Sequence, residues 1–500
     1  MTVTTDATGS RSTTDTGDTG DTGDSGDKES SVTVTDTAGT TGTVTTGPAG
    51  ISPEFLDGLN SSVEADPAWR TARNAATATD ISKITLDRSI LASTDPTTSV
   101  KVDTWSVTDQ MRSGRCWIFA GLNSLRGNII ADTGVKDLEL SQAWLHYWDK
   151  LEKANYFFIA MVELADRPTD DRTVQHLLDH PAEDGGQWNM FVALVEKYGV
   201  VPKYAMPETW SSSHTAKMNR DIATATRTGA LRIRETVNTG AGDAEVSRVH
   251  REALGSVHRI LTAHLGVPPE EFVWQYRDSD GEFHREGTVT PLQFARRYLP
   301  DDLGEYVCLV NDPRDSSPYG ELFTVDYLGN VVGADPVTYL NVPPEVLRTV
   351  AVDALGDGRP VWFGCDTAAQ CDRERGVWDA RLHDYTGFYG VELGTDAMDK
   401  QQRLLTGESL MTHAMVFTGV DLDEAGNPVK WRVENSWGSK NADKGFWTMN
   451  DSWFGEYVFA LAVHRDRLPE EYRSVLDSGT DGAPAPHVLP AWDPMGALAD

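Results

Sequence analysis

A thiol, an imidazole and a carboxamide stand far apart in this chain, and together they are the parts that acyl transfer by sulfur requires. The thiol is Cys116, in Gln110-Met111-Arg112-Ser113-Gly114-Arg115-Cys116-Trp117. The imidazole is His413, in Met411-Thr412-His413-Ala414-Met415, and the carboxamide is Asn435, in Glu434-Asn435-Ser436-Trp437-Gly438. A histidine takes the thiol proton, a carboxamide orients the ring, and a donor binds the oxyanion that forms on the attacked carbonyl. Gln110, six residues before the thiol, is placed to be that donor. Taken alone, residues 108–120 also fit a small buried hydrophobe behind a polar loop. A base elsewhere in the chain separates the two readings.

The elements that must position these groups are legible around them. From Cys116 onward, Phe119, Leu122, Leu125 and Ile129 recur at spacings of three and four, so a helix begins at or beside the cysteine. A helix start favours a negative charge, and the thiolate is the reactive form. Met411 to Val420 carries no charge and is rich in strand formers, and Val429 to Glu434 alternates apolar and charged. An Asp/Gly/Pro-rich turn between them predicts a hairpin, which brings His413 and Asn435 to one end of a sheet. Gly445–Met449 and Tyr457–Val463 supply further strands. Helices are expected from Ser141 to about Leu164, over Met190–Tyr198, and through most of Ile222–His264. Between the first two, Gly185 and Gly186 allow a close backbone approach or a tight turn. His176 and His180 are four apart on a predicted helix. With no third ligand in view they read as surface, and no metal is expected.

Composition narrows the class. The net charge is −32, which excludes nucleic-acid binding through clustered cations. No apolar run is long enough to span a membrane, and the N-terminus lacks a basic and apolar leader pattern. Four cysteines with no CxxC pair read as reduced thiols of a cytoplasmic protein. Residues 1–50 hold 17 Thr, 9 Gly and no aromatic residue, with Asp-Thr-Gly repeating from Asp15. They are expected to form a disordered acidic tail. Residues 51–500 are the folded part, and 200–365 show no constellation of chemical interest.

The phrases around the three groups resemble those of papain-like cysteine peptidases, in the same chain order. The branch they resemble is the bleomycin hydrolase and aminopeptidase C family. Family-like phrases also include Trp148-Asp149-Lys150-Leu151-Glu152-Lys153, Asp184-Gly185-Gly186-Gln187-Trp188, Glu196-Lys197-Tyr198-Gly199 and the tail Trp492-Asp493-Pro494-Met495-Gly496-Ala497-Leu498-Ala499. The resemblance implies an α+β papain-like fold, a helical half with an antiparallel β-barrel-like half. Large, mainly helical insertions at roughly 200–365 would separate Cys116 from His413. It implies Cys116 as nucleophile, His413 as base and then acid, Asn435 as its orienter, and Gln110 with the Cys116 N–H as oxyanion donors. Trp437 would shield the Asn–His bond, and Gly185 and Gly186 would pair with substrate backbone. A C-terminal arm, about 485–500, would enter the cleft and present Ala499 and the additional acidic Asp500 to the substrate's α-amino group. The expected function is therefore a cofactor-free aminopeptidase acting on peptides with free N-termini, assembled as a homohexamer. Two rivals are an endopeptidase or oligopeptidase, if the arm is displaced, and a non-catalytic or nucleic-acid-binding ring.

Overall fold

The computed structural model describes residues 31–35, 41–45, 51, 53–477 and 485–498. The chain divides into two compact units, residues 1–84 with Phe388–Gly390, and Thr85–Gly387 with Val391–Asp500. In the first, Ser31–Thr35 and Thr41–Thr45 pair as an antiparallel hairpin. This departs from the structureless segment expected over 1–50. Alternating Val and Thr are β-branched and favour extended backbone. The other residues of 1–50 lie outside the described ones. Helices Pro53–Ala65 and Pro67–Ala76 follow, the second capped by the Asp66 side chain.

The larger unit contains the site. Its helical part is built on Cys116–Thr133 and Gln142–Glu163. The first ends at Gly134 in the left-handed region (φ 67°), and the second starts at Ser141, whose hydroxyl accepts from the Trp144 N–H. Phe119, Leu122, Leu125 and Ile129 are all buried, as their spacing required. Trp188–Tyr198 packs on both helices. The long segment expected to be helical is a helical hairpin, Ala216–Asn238 and Asp243–Leu265, lying on Gln142–Glu163. Gly229 permits the close approach: a Cβ there would stand 2.7 Å from the Phe158 ring and 2.8 Å from the Ala253 Cβ.

The sheet is mixed and has twelve strands. At its centre His413–Leu422 pairs antiparallel with Pro428–Glu434 on one side and with Val361–Cys365 on the other. The predicted hairpin is present, with Val416 opposite Glu434. Beyond Val361–Cys365 come Val458–His464, Tyr306–Val310, Tyr339–Asn341, Leu322–Val325 and His487–Leu489. Residues 200–365 are therefore no appendage to the catalytic sheet. They contribute four of its strands, and His413 stands opposite Cys365 in the register. Val361-Trp362-Phe363-Gly364-Cys365 is buried on both faces, so it lacks the alternation by which a half-exposed strand is recognised.

The sheet separates two cores, and its period of two divides the residues between them. Ala414, Val416, Trp362 and Ala460 pack with the helices, whereas Met415, Phe417, Phe363 and Leu461 pack on the other side. The second core is held by a run of rings: Phe363 stacks on Phe417 at 3.8 Å, and Trp431 stacks on Phe454 at 4.8 Å. A buried ion pair crosses from the helices to the sheet: Arg126 Nη2 donates to Glu434 Oε1 at 2.7 Å, with both side chains almost fully excluded from solvent. Arg126 Nη1 also donates to the Ser106 carbonyl. The pair thus joins the middle of the Cys116 helix to the residue before Asn435.

Burial pushes the Glu434 carboxyl up to about 7 even beside Arg126, so Arg126→Ala leaves it unpaired in the interior and is expected to cost about 3–5 kcal/mol above that pH. Urea unfolding checks this. The double variant R126M/E434Q, which leaves no buried charge, should lose clearly less.

Candidate active site

Cys116 is the first residue of its helix, and the loop before it is held from several directions. Arg115, at the N-cap, makes a two-pronged pair with Glu208 at 3.0 and 2.9 Å, while its Nε donates to Ser113 Oγ. Ser113 Oγ in turn donates to the Gln110 carbonyl at 2.6 Å. Gln110 is oriented from both ends of its amide. Its Oε1 accepts from Ser436 Oγ at 2.6 Å, and its Nε2 donates to the Ser113 carbonyl at 2.5 Å. One Nε2 proton is thereby used, and the second is directed elsewhere by the same geometry. The neighbouring Met111 takes a left-handed backbone (φ 57°), which lets the loop turn.

The sequence-predicted groups converge. The Ala414 N–H donates to Cys116 Sγ at 3.4 Å, so the strand residue after His413 touches the sulfur. His413 Nε2 lies 3.0 Å from Asn435 Oδ1. The same Oδ1 accepts from the Ser436 backbone N–H at 2.7 Å, which sets the amide's orientation, because an N–H must face an oxygen. Nε2 therefore carries the imidazole proton, and Nδ1 keeps its lone pair. Cys116, His413, Asn435 and Gln110 are all buried, and half-buried Trp437 lies 4.9 Å from the His413 ring. Burial pushes the imidazole down to about 4, against the Asn435 bond that raises it, and the positive charge of Arg373 lowers it further. The ring is thus neutral at neutral pH and able to accept a proton. Cys308 and Cys371 have no such setting: burial pushes both thiols up to about 12. Among the described residues no cluster of metal-ligating side chains has three members, and His180 pairs with Glu183 at 2.7 Å.

A buried charged centre supports this loop, and sequence reading missed it. The Asp184 carboxylate accepts from the Gly114 N–H at 3.2 Å, the Thr215 hydroxyl at 2.5 Å and Lys150 Nζ at 2.7 Å, and lies 3.0 Å from His146 Nε2. Its backbone carbonyl accepts from the Trp117 indole at 2.7 Å. One residue thus fastens the stretch before Cys116, the residue after it and the Gln142–Glu163 helix. Burial opposes the charge, but Lys150 and His146 overcome it and hold the Asp184 carboxyl well below the usual carboxylate range. Next to it Lys153 donates to the Gly185 carbonyl at 2.5 Å and pairs with Asp149 at 2.7 Å. A signal existed: His146, Lys150 and Lys153 recur at helical spacing on a face where a core helix carries apolar groups.

The two glycines have separate reasons. A Cβ on Gly186 would lie 2.5 Å from the Trp117 ring, so no side chain fits. The Gly185 carbonyl accepts from Lys153, which fixes this peptide and leaves its second lone pair and the Gly185 N–H unassigned. The next residue, Gln187, donates from Nε2 to the Ala497 carbonyl at 2.6 Å, so the C-terminal segment reaches the glycine strand. Arg314 clamps that segment through Asp493 at 2.7 and 3.0 Å, with Asp312 on its other side. His487–Leu489 is a parallel strand beside Leu322–Val325. Along this arm lies a cavity of about 440 Å³, lined by Tyr156, Phe157, Leu410, Trp492 and Leu498 among others. Ala499 and Asp500, the expected amine-binding residues, lie outside the described residues.

A neutral imidazole oriented by a carboxamide, beside a thiol at a helix start and across a two-core sheet, defines a papain-like cysteine peptidase. The Peptidase C1-like family is matched over residues 50–496. The chain is 40% identical to aminopeptidase C of Lactobacillus delbrueckii subsp. lactis over 449 residues, 90% of this chain and 98% of that protein. It is likewise 40% identical to bleomycin hydrolase of Homo sapiens over 460 residues, 90% of this chain and 99% of that one. The crystal structure of PepW from Lactobacillus rhamnosis HN001 superposes with a TM-score of 0.87 at 40% identity, covering 90% of this chain and all of that one. The chain belongs to the Peptidase C1-like family. Its likeness to aminopeptidase C and bleomycin hydrolase over most of its length makes it a cysteine-type aminopeptidase.

Because the Asp184 carboxyl ionises more easily folded than unfolded, its contribution to stability is complete above the ordinary value of 3.8 and is lost as pH falls below it. Asp184→Asn leaves Lys150 without its counter-charge and takes from His146, which burial keeps neutral, its carboxylate partner. It should lower stability at pH 7 by about 3 kcal/mol, with the gap to the parent narrowing below pH 4. Unfolding at the two pH values checks both the size and the sign.

Proposed function

We propose that Cys116 is the nucleophile, His413 the general base and then acid, Asn435 its orienter, and Gln110 with the Cys116 N–H the oxyanion donors. The observation that carries this reading is the contact of the His413–Ala414 strand with the sulfur while Asn435 holds Nε2. His413 Nδ1 takes the thiol proton, and the helix start and the Ala414 N–H stabilise the thiolate formed. Sulfur attacks the carbonyl carbon of the first peptide bond, and the oxyanion is met by the second Gln110 proton and the helix-start N–H. The imidazolium then gives its proton to the leaving amine as the C–N bond breaks, leaving a thioester. Water, deprotonated by the same ring, attacks that thioester and releases the N-terminal residue. Trp437 shields the Asn435–His413 bond from water.

The substrate has a free α-amino group because the C-terminal arm occupies the acyl side of the cleft. The bond from Gln187 to the Ala497 carbonyl supports this, since it places the arm one residue from Gly186. Gly185 and Gly186 approach the substrate backbone. In this reading the ammonium is met by the carboxylate of Asp500, with Ala499 beside it. No cofactor takes part. Following the family likeness, the protein is a cytoplasmic homohexamer with catalytic sites facing inward. Its net charge of −32 speaks against a nucleic-acid partner. Residues 51–500 form the enzyme, and 1–50 extend from it.

An alanyl peptide with a free N-terminus should be cleaved and its N-acetylated form should not, with alkylation of Cys116 or Cys116→Ala abolishing the first activity. Removing Leu498–Asp500 should admit the acetylated peptide and shift cleavage to internal bonds. Full aminopeptidase activity in Cys116→Ala would sink the assignment, and unchanged specificity after truncation would remove the arm's role.

A further inference from the structure

Against Trp437, the ring that neighbours the imidazole, stands a cation that the reaction above does not use. Arg373 lies at the tip of the tight turn between Cys371–Asp372 and Val377–Trp378, with its guanidinium 4.9 Å from the centre of the Trp437 ring. Trp437 in turn stands 4.9 Å from the His413 ring. The turn is pinned by Asp372, whose carboxylate accepts from the backbone N–H groups of Glu374 and Arg375 and pairs with the Arg375 guanidinium at 2.7 Å. That carboxylate is therefore spent on Arg375. Among the described residues, exposed Arg373 is in no ion pair, although the chain carries 76 acidic residues.

The side on which Arg373 sits follows from the chemistry. In the aminopeptidase reading the acyl part of the substrate lies along Gly186, next to Gln187, which the arm touches through Ala497. The leaving nitrogen must lie at His413, which protonates it, so the released portion runs from His413 across Trp437. A leaving amino acid carries its α-carboxylate about one residue length beyond that nitrogen, and a leaving dipeptide about two, at roughly 3.3–3.6 Å per residue. We propose that Arg373 is a specificity-determining residue on the leaving-group side. It receives the carboxylate of the released portion through its planar guanidinium, held ready on the Trp437 face. The carboxylate comes from the chain terminus of a di- or tripeptide, or from an acidic side chain next to the scissile bond. Guanidinium matches this group with two parallel donors, and stacking on an indole costs it none of them. The positive charge of Arg373 is near enough to lower the proton affinity of the His413 ring. In so acidic a molecule, such a cation offsets repulsion of an anionic peptide where the anion must dwell.

This inference rests on the aminopeptidase reading, and the test separates the two. Hydrolysis of an alanyl arylamide, which releases no carboxylate, reports on that reading alone. The specificity readout is the ratio of kcat/KM for alanyl-alanine to that for alanyl-alanine amide, from which any general loss of activity cancels. A pair of this exposure predicts a ratio of about two to five, carried by KM. Arg373→Gln should bring the ratio to about one, Arg373→Glu should invert it, and Arg373→Lys should restore part of it. Alanyl-aspartate amide against alanyl-asparagine amide shows whether a side-chain carboxylate is taken as well. Ratios for both pairs that are the same in the parent and in Arg373→Gln would overturn the proposal.

Discussion

A sulfur atom at the start of a buried helix becomes part of a catalytic group only if a neighbouring strand is held against it. Here the constraint is the contact between Cys116 Sγ and the Ala414 N–H, made across the boundary between a helical layer and a central strand. Everything that sets this contact acts at a distance from it. Arg126 and Glu434 tie the helix to the sheet, and Asp184 ties the loop before the cysteine to the helix behind it. Each is a buried charge held by several partners. Such groups contribute less to net stability than to uniqueness of geometry when every partner is present, and they are costly once one is removed.

The second organising feature is the strand that carries His413. Of its buried residues, Ala414 and Val416 pack into one core and Met415, Phe417 and Val420 into the other, so a slip of one residue would exchange the contents of both. Register here is therefore strongly specified, and with it the distance from His413 to Asn435 on the adjoining strand end. The imidazole is buried as a consequence, and burial keeps the ring neutral. Packing and proton chemistry have a common origin in this sheet.

Two further segments are fixed by contacts of their own. The C-terminal segment is clamped by Arg314 through Asp493 and touches Gln187, and Trp437 lies against the His413 ring. Both come from parts of the chain more than 300 residues from the Cys116 loop in sequence.

The sequence by itself determined the groups of the reaction and their immediate elements. Cys116 lies at a periodic helix start, and His413 and Asn435 lie at matching ends of a hairpin whose alternation is local and visible. Periodicity shows which face of an element is buried, and it shows nothing of what meets that face. That is why only tertiary structure decided that Asp184 binds the Gly114 loop, that Lys153 takes the Gly185 carbonyl, and that Arg115 pairs with Glu208. It is also why Val361–Cys365, buried on both faces and so without a pattern, emerged as the direct neighbour of His413. Buried polar groups find their partners by position in the folded chain, because the interior leaves them no water to turn to.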